Sequence, residues 1–330
     1  MHFNGRCHEA PPVRVYVVAG HKGFARPVCV SIATRQLCAR AGFAYHARMI
    51  IAKTIADVRR AVAAARGQGQ AVHFVPTMGA LHEGHYSLIR AARGPERYVA
   101  VSIFVNPTQF GPHEDLARYP RPIEHDLAGC EREGVDLVFV PPADEMYPPG
   151  ACTTVHVGGV TETLCGPHRP GHFDGVATVV AKLFHIVQPD VACFGQKDAQ
   201  QCAVIRRMVA DLDMPVRIVV CPTVREADGV AMSSRNAYLS PAERVQARCL
   251  IQALRLAEER IRTGEHRTDV IVEAMRSHIT TAGPCTIDYV EVVDPETMQP
   301  LSRIGARSLL AVAVRIGSTR LIDNVLVETV

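Results

Sequence analysis

His82 and His85 stand three residues apart in the segment Val72-His-Phe-Val-Pro-Thr-Met-Gly-Ala-Leu-His-Glu-Gly-His85. Its apolar opening reads as a short buried strand, Pro76 and Gly79 as a turn, and the histidines as the first turn of a helix. Residues three apart on a helix share a face. At a helix start, the free backbone N–H groups and the positive dipole end favour a phosphate, and both imidazoles could donate to its oxygens. Two other readings stand beside this one: an ordinary structural pair at a strand–turn–helix, and a metal site. The metalloprotease pattern HExxH spaces its ligands four residues apart, whereas His82-Glu83-Gly84-His85 is HExH. Gly84 lets a ligand approach the backbone closely, which suits a nucleotide better than a metal.

The elements that position this pair follow from periodicity. Thr54 is an N-cap with Asp57 three residues on, Ile55, Val58 and Val62 form an apolar side, and Gly67 is a stop, so a helix begins at Thr54. Strand Val72–Val75 follows, and Tyr98–Val105 is a near-continuous apolar run of the kind covered on both faces. That run ends in Asn106-Pro107-Thr108-Gln109-Phe110-Gly111, at the strand end where open α/β sheets bind ligands. A helix around Ile123–Glu133 and strand Val135–Val140 continue the alternation. The pattern predicts a parallel, doubly wound sheet.

Leu164-Cys-Gly-Pro-His-Arg-Pro-Gly-His-Phe-Asp-Gly175 is rich in Gly, Pro and His and reads as a surface loop or a functional lid. Helix Val176–Val187 and strand Asp190–Phe194 lead to Gly195-Gln-Lys-Asp-Ala-Gln-Gln201, a second strand–Gly–helix start that places Lys197 where it could clamp a phosphate. That helix runs to about Leu212, and strand Val216–Val220 closes the first domain. After Pro222 the character changes. Asp228-Gly229 marks a turn, Ala231-Met-Ser-Ser-Arg-Asn236 follows, and Ser240-Pro241 caps a helix. Helices at about Ala242–Arg262 and Thr268–Thr280, with strands Thr286–Val293, Ser308–Ile316 and Arg320–Val327, predict a smaller α+β unit.

With 330 residues, 48% of them hydrophobic and 21% charged, the chain has the makeup of a soluble globular protein of one to three domains. No run approaches the roughly 20 apolar residues that span a bilayer, which argues against a membrane protein. Eleven cysteines, without any CxxC, favour reduced thiols in a cytoplasmic protein over a disulfide framework or a zinc site. Residues 1–48 carry seven Lys/Arg against one acid, a charge of +6, so the rest of a chain with net charge +3 carries −3. A mildly acidic body gives no support to a nucleic-acid partner. The leader could be a transit peptide, but it has Ser31 alone where such peptides are Ser-rich. A secretory signal is disfavoured by the absence of an apolar core. The expectation is translated upstream sequence that is disordered or absent from a working protein beginning at Met49.

Five motifs in order carry a resemblance: PTMGALHEGH at 76–85, IFVNPTQF at 103–110, FGQKDAQQ at 194–201, MSSRN at 232–236 and RIGSTRLIDN at 315–324. As a set they closely resemble the pantothenate synthetase family, over essentially Met49–Val330. HxGH alone would indicate only the wider nucleotidyltransferase superfamily. The resemblance implies a Rossmann-like nucleotide- and pantoate-binding domain at 49–223 and a smaller α+β lid domain at 224–330. It also implies ATP-dependent condensation of pantoate with beta-alanine through a pantoyl adenylate, releasing pyrophosphate and then AMP. A different nucleotidyltransferase would have no reason to share NPTQF and KDAQQ. A non-catalytic nucleotide-binding module would have no need of the full phosphate set.

The roles follow motif by motif. His82 and His85 would touch the ATP phosphates, with His85 as the family's proton donor, and Lys197 would join them in catalysis. Met78, Gly79, Ala80, Leu81, His82, Glu83, Gly84 and His85 would form one ATP-binding segment. Gly195, Gln196, Lys197 and Asp198 would form a second, with Gln196 where many relatives carry Glu. Val224 would contact ATP through its backbone. Met232, Ser233, Ser234 and Arg235 occupy the position of a KMSKS-type loop, with Arg suited to bidentate phosphate binding. Gln109 and Gln201 would bind pantoate, Gln109 also beta-alanine, and Pro76, Thr77 and Met78 would wall the pantoate pocket. Magnesium would arrive with the nucleotide rather than in a dedicated protein cage. The family resemblance further implies a homodimer.

Overall fold

The structure, a computed structural model, describes residues 49–112 and 114–329. The reading of residues 1–48 lies outside the described residues. Six parallel strands form the main sheet: β1 (Ile50–Ala52), β2 (Ala71–Thr77), β3 (Arg97–Ile103), β4 (Leu137–Phe139), β5 (Val191–Gly195) and β6 (Arg217–Cys221), in the order β1-β4-β3-β2-β5-β6. Helices α1 (Ile55–Arg66), α2 (Glu83–Ala92), α3 (Ile123–Arg132), α4 (His172–Val187) and α5 (Ala199–Asp211) connect them. From β2 the chain steps outward to β3 and β4, and then returns to place β5 on the other side of β2. The reversal between β2 and β5 is the topological switch point, where open α/β sheets leave a crevice beyond the strand ends.

Alternation along the strands divides the core. Phe74 faces a cluster with Val58 and Val62 of α1 and Phe184 of α4, while Val75 faces Ile89 of α2 and Cys130 of α3. Helix α4 is buried on nearly every side, its Val176, Val180 and Val187 packed in the first cluster. The sequence left β1 unread: three residues are too few to show a period. Pro76, expected to open a turn, lies inside β2 opposite Ser102. It is tolerated because β5 pairs with β2 only at His73 and Phe74, so at Pro76 that side of the strand has no ladder to break.

The 164–175 stretch is also corrected. It is not wholly a surface loop: Leu164, Cys165 and Phe173 are buried, Cys165–His168 forms a helical turn, and α4 begins at His172 rather than Val176. Gly166 and Gly175 allow close packing, against the Thr161 and Thr108 carbonyls.

The C-terminal part has helices α6 (Pro241–Ala247), α7 (Cys249–Arg262) and α8 (Thr268–Thr281) and an antiparallel sheet β7-β8-β9 (Thr286–Val293, Arg307–Ile316, Thr319–Glu328). One helix expected at 242–262 is two, parted at Arg248. Val290, Val312 and Val314 face α7 and α8, whereas Tyr289, Leu309 and Ala311 join the cluster that includes α4 and α5. The small sheet therefore sits between its own helices and the main domain, and residues 49–330 form one compact unit. Among the described residues, no helix is long and apolar enough to cross a membrane.

Candidate active site

The turn after β2 is set by a carboxylate from another element. Asp126 of α3, 1% exposed, accepts the backbone N–H groups of Ala80 (2.8 Å) and Leu81 (2.7 Å). Gly79 at φ +82° brings the chain against it, and a Cβ there would lie 2.9 Å from the Asp126 carboxylate. Thr77 Oγ1 accepts the Gly79 N–H (3.1 Å) and donates to the Ser102 carbonyl (2.7 Å), which ties the turn to β3.

The two histidines then close the start of α2. His82 is the N-cap, its Nδ1 accepting the Gly84 N–H at 3.2 Å, while His85 Nδ1 faces the His82 N–H at 3.4 Å. Because each Nδ1 is turned to a donor, the neutral ring carries its proton on Nε2, which is left to donate elsewhere. Burial, reinforced by the Lys197 charge, lowers His82 to about 4; burial and the neighbouring His82 lower His85 to about 3. Gly84 has a reason that sequence did not show: a Cβ there would meet the His82 ring at 2.9 Å, so the glycine lets that ring fold over the helix end.

A cavity of about 220 Å³ lies over this turn. Its walls bring together Pro76, Thr77, Met78, His82, Gly84 and His85 from β2 and α2; Gly195, Lys197, Asp198 and Gln201 after β5; Val224; and Met232, Ser233, Ser234 and Arg235. Gln109 is at its floor, 8% exposed. The Gln109 amide is oriented at both ends: Oε1 accepts from Asn106 (3.1 Å) and Nε2 reaches Met78 Sδ (3.0 Å).

Other expected residues stand away from the cavity wall. Leu81 is in the core, and Gly79 and Ala80 shape the turn beneath. Glu83 is exposed and pairs with Arg90. Gln196 turns its side chain to Asn324 (3.1 Å). Val224, by contrast, does line the cavity, with its carbonyl already taken by the Met232 N–H at 3.0 Å.

The electrostatics pair cations with carboxylates. Lys197 Nζ is 3.6 Å from Asp198 Oδ1, and the Asp198 side chain is 46% exposed. Although burial opposes it, the charges of Lys197 and Arg235 hold the Asp198 carboxyl below its ordinary range. Arg235 grips Asp115 with two bonds of 2.9 Å, and Ser234 Oγ lies 3.3 Å from the Tyr119 hydroxyl. The serine–arginine loop thus rests against the 111–119 loop.

Sequence reasoning did not single out Asp115, Asp126, Arg169 or His172. His172 Nδ1 donates to the Gln109 carbonyl (2.8 Å), and Arg169, paired with Glu114 at 2.6 Å, donates to His172 Nε2 (2.9 Å). The signal was present in His168-Arg169-Pro-Gly-His172, but its irregularity read as loop. Among the described residues, no group of three or more His, Cys, Asp or Glu is gathered to hold a metal ion.

The comparisons with known proteins agree with this geometry. The family model described as pantoate-beta-alanine ligase matches residues 50–326. A pantothenate synthetase of Moorella thermoacetica is 56% identical over 280 residues, 85% of this chain and 99% of that protein. The crystal structure of pantothenate synthetase from Thermus thermophilus aligns with a TM-score of 0.80 at 47% identity, covering 84% of this chain and 99% of that one. That of pantoate-beta-alanine ligase from Francisella tularensis, complexed with beta-gamma ATP and beta-alanine, aligns at 0.66 with 33% identity, covering 84% and 97%. A family match over nearly all of 49–330, on a fold whose crevice gathers the motif residues, means that the chain belongs to the pantoate-beta-alanine ligase family.

Proposed function

We propose that this cavity joins pantoate to beta-alanine with ATP by way of a pantoyl adenylate, and that the residues lining it divide the work between two half-reactions. The observation that carries the reading is the meeting of His82 and His85, Lys197 and Asp198, Ser233 to Arg235, and the amides of Gln109 and Gln201 around one cavity.

In the first half-reaction a pantoate carboxylate oxygen bonds to the α-phosphorus of ATP, the bond from that phosphorus to the α–β bridging oxygen breaks, and pyrophosphate leaves. Negative charge grows on the departing pyrophosphate. The Nε2–H groups of His82 and His85 and the Lys197 ammonium are donors already in place for it, which lowers the barrier without reorganisation. Ser233, Ser234 and Arg235 hold the far phosphates. In the second half-reaction the uncharged amine of beta-alanine attacks the acyl carbon, the C–N bond forms, AMP departs and the nitrogen loses a proton. The neutral amides of Gln109 and Gln201 suit a site that holds first a carboxylate and then an uncharged acyl group, because a fixed cation would stabilise the starting carboxylate and resist the reaction.

Magnesium bound to ATP would offset phosphate charge during adenylation. Asp198, exposed in the crevice beside Lys197, is the carboxylate that would help to hold such an ion with the nucleotide.

We further assign 49–223 as the nucleotide- and pantoate-binding domain and 224–330 as a lid that excludes water from the adenylate. Homodimerisation through the first domain is supported by the family resemblance and by Ile50 and Ile51, exposed on edge strand β1. Sedimentation tests it. A cytoplasmic location fits the cysteine usage, and fractionation of the native host tests that.

The activity test supplies ATP, magnesium and pantoate, then beta-alanine. AMP release that needs both pantoate and beta-alanine, together with pyrophosphate exchange into ATP that needs pantoate alone, is expected. AMP release independent of either substrate overturns the reading.

A further inference from the structure

The closing motif RIGSTRLIDN carries two buried residues that the chemistry above does not use. Asn324 of β9, 6% exposed, donates both N–H bonds of its amide to backbone carbonyls of the loop after β5, to Gln196 at 3.0 Å and to Lys197 at 2.8 Å. Its Oδ1 accepts from the Gln196 side-chain amide at 3.1 Å. Asp323, 3% exposed, holds the Arg225 guanidinium with bonds of 2.6 and 3.1 Å and accepts the Asn324 backbone N–H at 2.8 Å.

Arg225 stands at the foot of the turn that presents the second phosphate loop. It pairs through its backbone with Ala231, and its side chain donates to the Gly229 carbonyl at 3.2 Å. Met232, the first residue of the serine–arginine loop, follows directly. Adjacent residues on a strand leave it on opposite faces, so one dipeptide reaches both loops. The strand behind them is firmly placed: β9 pairs with β8 without interruption from Thr319 to Glu328.

We propose that Asp323 and Asn324 are positioning residues for adenylation: they fasten the Lys197 loop and the Ser233–Arg235 loop to one strand and so fix the spacing of the two phosphate clamps. This rests on the assignment of Lys197 and Arg235 to the ATP phosphates. The pairing also gives Gln196 a reason. With both Asn324 N–H bonds spent on carbonyls, Oδ1 needs a donor, which the amide of Gln196 supplies and an ionised Glu does not.

The test uses the full chain with Asn324→Asp, which keeps the shape and removes the donors, and Asp323→Asn, alone and in a Lys197→Ala background. Pantoate-dependent exchange of pyrophosphate into ATP reads adenylation. Conversion of supplied pantoyl adenylate with beta-alanine reads the second half-reaction. A displaced clamp lowers exchange kcat on the order of 10- to 100-fold and leaves the second half-reaction within about 3-fold of the parent protein. Added to Lys197→Ala, Asn324→Asp causes no further loss, because it acts through that lysine. Should the Asp variant not fold, Asn324→Ser, which keeps a single donor, is expected to lower exchange while sparing the second half-reaction. Equal losses in both half-reactions, an Asn324→Asp loss that multiplies in the Lys197→Ala background, or undiminished exchange overturn the positioning role. Full exchange by Lys197→Ala itself overturns the phosphate assignment, and the positioning role with it.

Discussion

His82 and His85 lie against each other at the start of α2 with ring centroids 4.2 Å apart and planes tilted by 42°, each Nδ1 turned to a backbone N–H and each Nε2 left with the proton. The free protein therefore offers two neutral donors, not two cations. ATP brings the negative charge that pulls both imidazoles toward protonation, which is where a proton-donating role for His85 would arise.

Proton-detected NMR of the ring nitrogens checks this. Neither histidine is expected to titrate between about pH 5 and 8 in the free protein, since their pKa values lie at about 4 and about 3. A non-hydrolysable ATP analogue should raise both. An imidazole that titrates near its ordinary value without ligand would contradict the geometry.

The same shifts bear on acid stability. Both folded-state values lie below the ordinary value of 6.5, so between those limits the unfolded chain binds more protons than the folded one. The stability tied to the neutral rings is fully present above pH 6.5 and is lost as pH falls toward 4 and then 3. Replacing both histidines with Gln should move the midpoint of acid unfolding, followed by circular dichroism, to lower pH. A midpoint moved upward would be the opposite sign.

Asp126 shows what sequence could and could not reveal. Of its two partners, the Leu81 N–H is buried with it and the Ala80 N–H partly so. Asp126→Ala leaves both donors unmatched, at about 1–3 kcal/mol each, and should lower the thermal midpoint together with the rate of adenylation. Asp126→Asn keeps one acceptor oxygen and should fall between. Full activity in the Ala variant would mean that the turn holds itself.

The motifs that line the cavity were legible because each is a short run of neighbouring residues. A helix start, a glycine and two histidines within four residues left an anion site open beside an ordinary structural pair, the set of five motifs favoured the former, and the strand–helix alternation pointed to the parallel sheet and the end of it where ligands sit. Asp126 was not legible, since it lies 46 residues from Ala80 and a carboxylate in the first turn of a helix is common on any surface. Nor was the pairing of Arg169 and His172 with Glu114 and Gln109, which needs the third dimension to bring α4 against the turn after β3. Pro76 misled for a physical reason: the strand interior normally excludes proline, and only the early departure of β5 makes room for it.

Asp115 and Arg235, the latter in the wall of the cavity, form a bidentate pair, with Asp115 14% exposed. The Arg235 guanidinium that would bind pyrophosphate is thus already occupied, and ATP must share or displace that carboxylate. Asp115→Asn weakens the competing pair by about 1 kcal/mol, so calorimetry with a non-hydrolysable ATP analogue should show binding tightened by roughly fivefold. Weaker binding would show instead that Asp115 holds Arg235 in its working position.

Gly175 joins α4 to the Asn106–Gln109 side of the cavity through backbone alone. A Cβ there would lie 2.4 Å from the Thr108 carbonyl oxygen and 2.6 Å from the Gln109 amide nitrogen. Neither atom can turn aside as a side chain could, so Gly175→Ala must push α4 from the Asn106–Gln109 turn. Asn106, whose side chain bonds both the Gly175 carbonyl and the Gln109 amide at 3.1 Å, would be carried with it. The expected loss is about 1–3 kcal/mol of stability from overpacking, with a rise in KM for pantoate that exceeds any change in KM for ATP, since the histidines proposed to bind phosphate stand at the start of α2. Steady-state kinetics with each substrate varied in turn separates the two, and an equal rise in both would place the strain in the whole crevice rather than at Gln109.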